Sequence, residues 1–395
     1  MNSLHLTRLE ALRAFLAADR ELIEPVRGED GVLRWDVAVV SEPFVLQESV
    51  PLTSLKPYFF AERETVFAFD GPHFRSRLPE APPRVFFGVK ACDAAALAVQ
   101  DRFFAEDAYY QARRRPALVV ATDCAAPCAG GFCPLTDSGP LVREGADLVL
   151  TPVDDGWLAA AMTVAGEATL EAFLVRAEAG DPGVVSLLDA GTVVAQRAAV
   201  GAASLAAFPA LDDLSAGLAR LQAGEVSAGT WEALAIQCLA CSGCVNLCPS
   251  CSCFTTHDTS QAQGVVRERV WDACLYEGFQ REASGHHPSP TPGARTARYW
   301  FHKFSPVFLP QQGRLGCTGC GRCDAVCPGV IGAKALFHPQ DQVKKAFVEG
   351  YYGRAMGADW YENERILTHT VGSGVTSLAT AADATITDGG GSGNT

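Results

Sequence analysis

No run of eighteen apolar residues occurs in the 395-residue sequence, so nothing in it reads as a membrane-spanning helix. A basic excess is missing too. Lys and Arg number 32 against 45 Asp and Glu, a formal net charge of −13. Phosphate binding needs a basic face, so nucleic acid is not an expected partner. The opening residues, Met1 to Glu10, lack a charged stretch followed by an apolar one. No secretory signal is expected, and the reading is a cytoplasmic, reducing location. There is no G-x-G-x-x-G after a strand pattern and no P-loop, hence no nucleotide fingerprint. No Ser-His-Asp set, no H-E-x-x-H and no convincing carboxylate pair appears either. Hydrophobic content of 48% and charged content of 19% suit a folded chain, and this length allows two or three domains.

What the sequence has is cysteine, 15 in all. Eight fall into two runs, Cys238-Leu-Ala-Cys241-Ser-Gly-Cys244-Val-Asn-Leu-Cys248-Pro249 and Cys317-Thr-Gly-Cys320-Gly-Arg-Cys323-Asp-Ala-Val-Cys327-Pro328. Both read C-x2-C-x2-C-x3-C-P, the bacterial-type run for [4Fe–4S] clusters, in which the fourth cysteine serves the other cluster. Three cysteines at i, i+3 and i+6 let one short loop wrap three corners of a cubane. Small residues between them let backbone N–H groups approach the cluster sulfurs. The fourth cysteine points away, and the following proline redirects the chain. The expectation is two [4Fe–4S] clusters, one held by Cys238, Cys241, Cys244 and Cys327, the other by Cys317, Cys320, Cys323 and Cys248. The competing reading is a pair of structural zinc sites, which would not need this repeated four-step pattern. A disulfide framework does not suit a chain of this size without a secretory signal.

Along the chain, residues 4–24 read as a helix, with Leu9, Leu12, Phe15, Leu16 and Ile23 forming a stripe. Residues 32–40 and 65–69 read as short strands. Val85 to Val89, Ala117 to Ala121 and Leu148 to Leu150 read as buried strands, with Asp93 to Phe104 helical between the first two. Strands alternating with helices suggest a small parallel or mixed sheet. Residues 166–180, 202–224 and Thr230 to Gln237 read as helices. The 68 residues between Cys248 and Cys317 exceed what a compact ferredoxin needs. They read as a helix over Val265–Glu282, a proline-rich turn, and a second helical stretch to Lys303. The predicted architecture is α+β and α/β: an α/β domain over 1–225, an α-helical ferredoxin-type 2[4Fe–4S] domain over 226–345, and a C-terminal extension over 346–395. Residues from about 370 are Gly-, Ser-, Thr- and Ala-rich and read as a disordered tail.

Further segments carry a resemblance. Phe87-Gly88-Val89-Lys90-Ala91-Cys92-Asp93-Ala94 resembles F-G-V-R-P-C-D-A, with Lys90-Ala91 in place of Arg-Pro. Cys248-Pro-Ser-Cys251-Ser-Cys253-Phe254 resembles C-P-x-C-x-C-F. Trp271-Asp272-Ala273-Cys274 resembles W-D-x-C, Gly285 to Thr291 resembles G-H-N-P-R-P-T, and His302-Lys303-Phe304 resembles H-K-F. In this order, over residues of about 53 to 330, they resemble the dicluster iron–sulfur subunits of two complexes. These are the β subunit of cytosolic NAD(P)-linked [NiFe] hydrogenases (sulfhydrogenases) and the corresponding iron–sulfur subunit of anaerobic sulfite reductase. The resemblance implies a subunit that passes electrons between a flavin/NAD(P)-binding subunit and a catalytic subunit, and is not itself catalytic. A [NiFe] hydrogenase is the first reading of the host complex, and a sulfite or sulfur reductase the second. The chain lacks the paired C-x-x-C of a [NiFe] site and the adjacent Cys-Cys of heterodisulfide-reductase catalytic modules. A self-contained iron–sulfur reductase and a zinc-stabilised scaffold remain as readings from other classes.

Seven cysteines lie outside the runs. Cys92, Cys124, Cys128 and Cys133 form a set of four; Cys92 follows one predicted strand and Cys124 the next, and neighbouring parallel strands would bring these two loops to one sheet edge. They are candidates for a third [4Fe–4S] cluster, with reduced, packed cysteines as the alternative. The resembling pattern ends in C-F-C where this chain has Gly131-Phe132-Cys133, so Cys128 would have to supply a thiolate. Cys251, Cys253 and Cys274 could pack against the clusters, donate S–H···S contacts or replace a ligand, and packing is the first reading. His257, His286, His287 and His302 could ligate or tune a cluster, with ordinary surface or core residues as the first reading. Lys303 and Arg322 could offset cluster charge, with solvated side chains as the default.

Overall fold

The computed structural model describes residues 3–71, 73–178, 184–262 and 264–337. Twelve strands are present among the described residues. They are β1 (Ser3–Leu6), β2 (Glu21–Arg27), β3 (Leu33–Val37), β4 (Arg63–Asp70), β5 (His73–Ser76), β6 (Arg84–Lys90), β7 (Ala117–Thr122), β8 (Leu148–Val153), β9 (Gly156–Ala161), β10 (Val184–Leu187), β11 (Phe254–Gln261) and β12 (Gly264–Trp271). The helices of the first half are α1 (Glu10–Leu16), α2 (Lys56–Phe59), α3 (Ala91–Phe103), α4 (Ala108–Arg114), α5 (Val164–Glu178) and α6 (Ala190–Ala206). Those of the second half are α7 (Asp212–Gln222), α8 (Ala228–Ile236), α9 (Gly243–Asn246), α10 (Pro292–Phe304), α11 (Leu309–Gln312), α12 (Arg322–Val326) and α13 (Ala333–Phe337).

Eight strands form one mixed sheet in the order β10-β1-β9-β8-β7-β6-β2-β3. Its centre, β2-β6-β7-β8, is parallel, and the remaining pairs are antiparallel. Val85 to Phe87 and Val89 are fully buried because both faces of the sheet are covered. Val85 and Phe87 pack with Leu9, Leu12 and Leu16 of α1 and Leu170 and Phe173 of α5. Phe86 and Val89 point the other way, to Ala94 and Leu97 of α3, Tyr110 of α4 and Val193 of α6. This is an α/β layer arrangement built on period-two alternation.

A second, antiparallel sheet has the order β11-β12-β4-β5. Half of it comes from residues 63–76 and half from the insert between the cysteine runs. Arg269 of β12 locks the halves together. Its guanidinium bonds Glu64 of β4 (2.5 Å) and Asp107 at the start of α4 (2.5 Å), beneath Phe60, Phe104 and Phe254. Around the cysteine runs, α7, α10 and α13 close a separate core containing Leu214, Leu218, Tyr299, Trp300, Phe304 and Ala333.

Three expected helices differ from the structure. Residues 4–24 form β1, α1 and β2. The Leu9, Leu12 and Leu16 stripe belongs to α1, while Ile23 is buried in β2. Residues 202–224 are two helices, interrupted before and after Pro209, which cannot continue α6. The expected helix over Val265–Glu282 is β12, paired along its length with β11 and β4, followed by a 3-10 turn at Glu277–Gln280. Val265, Val266 and Val270 flank a charged stretch there, and β-branched residues favour the pleated surface. The expected tail from about residue 370, and the whole extension over 346–395, lie outside the described residues.

Candidate metal centre

The two cysteine runs are built alike. α8 is capped by the Ser227 side chain, which accepts from the Thr230 N–H, and its last turn delivers Cys238. In the first run, Ala240 and Ser242 take positive φ, +49° and +59°, before the single turn of α9. In the second, Gly319 and Gly321 take +61° and +77° before the single turn of α12. These are the same two places in the motif, one before and one after the second cysteine. Left-handed backbone there folds each loop into a cup, with one-turn helices packed against each other, Val326 of α12 facing Gly243 of α9.

Non-glycine residues strain this geometry, yet the first run uses Ala and Ser. Packing explains the second run's glycines. A Cβ on Gly319 would lie 2.5 Å from the Cys133 nitrogen, and one on Gly321 2.6 Å from the Gly130 oxygen. In the first run Ala240 is exposed, while Ser242 is buried and keeps its side chain. Cys241 is exposed, and beside it Leu239 and Ile236 are 65% and 67% exposed.

Each run's fourth cysteine lies beside the other run. The Cys327 thiol feels Cys238 and Cys241, and Cys244 in turn feels Cys327 and Cys238. The Cys317 and Cys320 thiols both feel Cys248. A cavity lined by Cys238, Cys241, Cys244 and Cys327 sits under Tyr299 and Trp300. Burial, then the neighbouring thiols, pushes Cys244 up to about 12. Burial likewise raises Cys317, Cys323 and Cys327 above the usual thiol range. Burial disfavours the free thiolates of these four, and a bound cation would offset that cost.

Several polar groups suit a bound cluster. The hydroxyls of Ser242 and Thr318, one inside each run, are buried with no partner among the described residues. A cluster's sulfides would give them an acceptor. The Gly319 N–H donates to Cys317 Sγ (3.3 Å) and the Ile331 N–H to Cys327 Sγ (3.4 Å). A tetrahedral zinc site needs donors about 2.3 Å from one point. Among the described residues, no three His, Cys, Asp or Glu side chains gather tightly enough for a single ion.

The default expectation for Lys303 and Arg322, solvated side chains, is overturned. Both are buried. Lys303 Nζ donates to Ser250 Oγ (3.1 Å) and Gly316 O (3.3 Å), beside Cys248, Cys251 and Cys317. Burial opposes its charge, but those thiols outweigh it and raise its pKa. Lys56, which carried no sequence signal, is buried as well. Its Nζ donates to Val245 O (3.1 Å) and lies over Trp271, near Cys251 and Cys248. Neither lysine has a carboxylate hydrogen-bond partner among the described residues. Buried ammonium groups need an anion, and thiolate-ligated iron supplies one.

The extra cysteines fall into pairs. Cys251 lies beside Cys248, and Cys274 beside Cys253 across the base of the β11–β12 hairpin. His302 is half-buried against Phe308 and Gln312 and is held down to about 4 by burial, then by Lys303, so it is neutral. His257 meets Glu268, and the His287 ring meets the Glu277 carbonyl.

Residues 237–331 match the 4Fe-4S dicluster domain. The chain is an iron–sulfur electron-transfer protein. It is distantly homologous to sulfhydrogenase 2 subunit beta of Pyrococcus furiosus, at 28% identity over 251 residues, covering 62% of this chain and 71% of that protein. No solved structure matches. The dicluster domain implies two [4Fe–4S] clusters, and it follows the mixed α/β sheet region in the chain. Among the described residues no helix is long and apolar enough to cross a membrane.

Proposed function

We propose that the chain is the relay subunit of a multisubunit oxidoreductase. It carries electrons between a subunit that reacts with flavin and NAD(P)H and a subunit that holds the catalytic centre, a [NiFe] hydrogenase being the host. Homology to a sulfhydrogenase beta subunit supports the host. The observation that supports the relay is that each run's fourth cysteine lies beside the other of two like-built loops. Cys238, Cys241, Cys244 and Cys327 would hold one cluster, and Cys317, Cys320, Cys323 and Cys248 the other. Each cluster, when bound, takes up and gives back one electron. The protein's own part is to hold the two sites against each other, in a helix-rich ferredoxin arrangement to which the hairpin is added. Tyr299 and Trp300 cover the first site, and Lys56 and Lys303 set the charge around the second.

The exposed rim of Cys241, Leu239 and Ile236 is the face by which one neighbour would approach the first site. The test is to reconstitute the full chain alone and assay it with and without its co-purifying subunits. The chain alone should exchange electrons with dyes but not oxidise NAD(P)H, take up hydrogen or reduce sulfite. Turnover by the single chain at the rate of the complex would identify a self-contained reductase. Sulfite reduction by the complex, without hydrogen uptake, would move the host to a sulfite reductase.

A further inference from the structure

Four cysteines outside the runs meet at one edge of the eight-stranded sheet. Cys92 is the second residue of α3, directly after β6, and Cys124 lies two residues beyond β7. β6 and β7 are adjacent and parallel, so both positions lie at the carboxyl ends of neighbouring strands. Open α/β sheets hold ligands there. Gly88, at φ +87°, makes a bulge in β6, where Phe87 pairs with Val120 and Val89 with Ala121. That extra residue re-aims the strand end that carries Lys90 and Cys92. Cys128 and Cys133 come from the connection between β7 and β8. The four thiols are neighbours. Cys124 and Cys128 act on Cys133, and Cys133 and Cys128 act on Cys92.

The surroundings call for an anion. Lys90 is 3% exposed. Its ammonium donates to the Leu46 carbonyl (2.5 Å) and faces Cys124, with no carboxylate partner among the described residues. The nearby carboxylate of Asp93 is committed elsewhere, since both its oxygens bond Arg322. A buried ammonium without a counter-charge is costly.

We propose that Cys92, Cys124, Cys128 and Cys133 hold a third [4Fe–4S] cluster, back to back with the cluster of the second run. Four thiolates meet the ligand count of such a cluster. The negative charge of the ligated cluster stabilises Lys90. The two loops meet through their backbones. The Phe132 N–H donates to Gly319 O (2.8 Å), and Gly319 and Gly321 are the positions where a Cβ would strike Cys133 and Gly130. Cys320 of the second run acts directly on Cys92 and Cys133. The relay thereby gains a third station, running from the exposed rim at Cys241 to the edge of the sheet. The site stands on these contacts and does not depend on which complex hosts the chain.

Iron and acid-labile sulfide are measured on the anaerobically purified full chain and on Cys128→Ala, Cys133→Ala and Cys92→Ala, with circular dichroism reporting the fold. Cys128 is half-buried in its loop, so its variant is the one that keeps the fold if Cys92→Ala does not. The expected counts are about twelve iron in the wild type and about eight in the variants, or a three-iron signal confined to this site. The paramagnetic signals of the two run clusters should persist in the variants, with less broadening from a neighbouring spin. Iron that is unchanged by all three substitutions, or zinc lost in its place, overturns the proposal. A wild-type count of about four that falls to none in Cys128→Ala would support this site and sink the two-run reading instead.

Discussion

Arg322 and Asp93 form a bidentate ion pair, Nη1 to Oδ1 at 2.5 Å and Nη2 to Oδ2 at 2.8 Å, with side chains only 2% and 1% exposed. Arg322 lies between Cys320 and Cys323 of the second run, and Asp93 follows Cys92 at the sheet edge. The guanidinium also donates to the carbonyls of Pro51, Leu52 and Thr53. One side chain therefore ties two other chain segments to a cysteine loop. Burial opposes the charge of Arg322, while Asp93 and Cys320 outweigh it and raise its pKa.

Removing one partner leaves the other charge buried and alone. Arg322→Met and Asp93→Leu should each destabilise the fold by about 3–5 kcal/mol, and the double variant by much less than the sum. Arg322→Lys should not restore stability, because an ammonium cannot reproduce the planar fork. Denaturant unfolding of the four proteins measures the coupling. Additive losses would show that the pair is not an energetic unit.

Lys303 should set the potential of the second-run cluster. A unit charge about 6 Å away, at an effective dielectric of about 20, is worth about 3 kcal/mol. For one electron that is on the order of 100 mV. Lys303→Met should lower the midpoint potential by up to this amount, since the ammonium favours the more negative, reduced state. Lys56→Met should act in the same direction. Potentiometric titration followed by paramagnetic resonance reads the shift, and an unchanged potential with an intact fold would remove Lys303 from this role.

Crossed ligation makes a paired prediction. Cys327→Ser should perturb the cluster of Cys238, Cys241 and Cys244. Cys248→Ser should perturb that of Cys317, Cys320 and Cys323. Low-temperature spectra of the two variants distinguish the sites. If each variant damages only the cluster of its own run, ligation is not exchanged.

The two loops should respond oppositely to small substitutions. Ala240→Gly and Ser242→Gly relieve left-handed strain and should be neutral, or stabilising by up to about 1 kcal/mol. Gly319→Ala adds both strain and a clash with the Cys133 backbone and should cost several-fold more. Thermal unfolding of the cluster-loaded proteins provides the comparison. Equal effects at Ala240 and Gly319 would contradict the packing account.

Local signals were readable and distant ones were not. The cysteine runs announced themselves because a cluster loop needs ligands at fixed short spacing. β6 and β7 were legible as apolar runs because both their faces are covered. The hairpin of β11 and β12 was hidden. Its exposed face carries Thr, His, Asp and Arg, and its third strand, β4, lies almost two hundred residues earlier. Lys303 and Arg322 read as solvated charges, and Lys56 gave no signal, because nothing nearby in sequence foretells the groups that enclose them. The pairing of Cys92 with Cys124 at one sheet edge was foreseeable from the strand-loop pattern, but the contact of their loop with Gly319 was not.

The second sheet also dictates when this protein can be finished during synthesis. β4 and β5 leave the ribosome long before β12 exists, so β4 waits with its ladder edge bare. Bare edges invite pairing with other chains. The partner strand arrives only after the first cysteine run and before the second. Closure of that sheet therefore falls between the emergence of the two ligand loops. A fragment limited to residues 237–331 would carry β11 and β12 without β4, and so would expose the same edge from the other side.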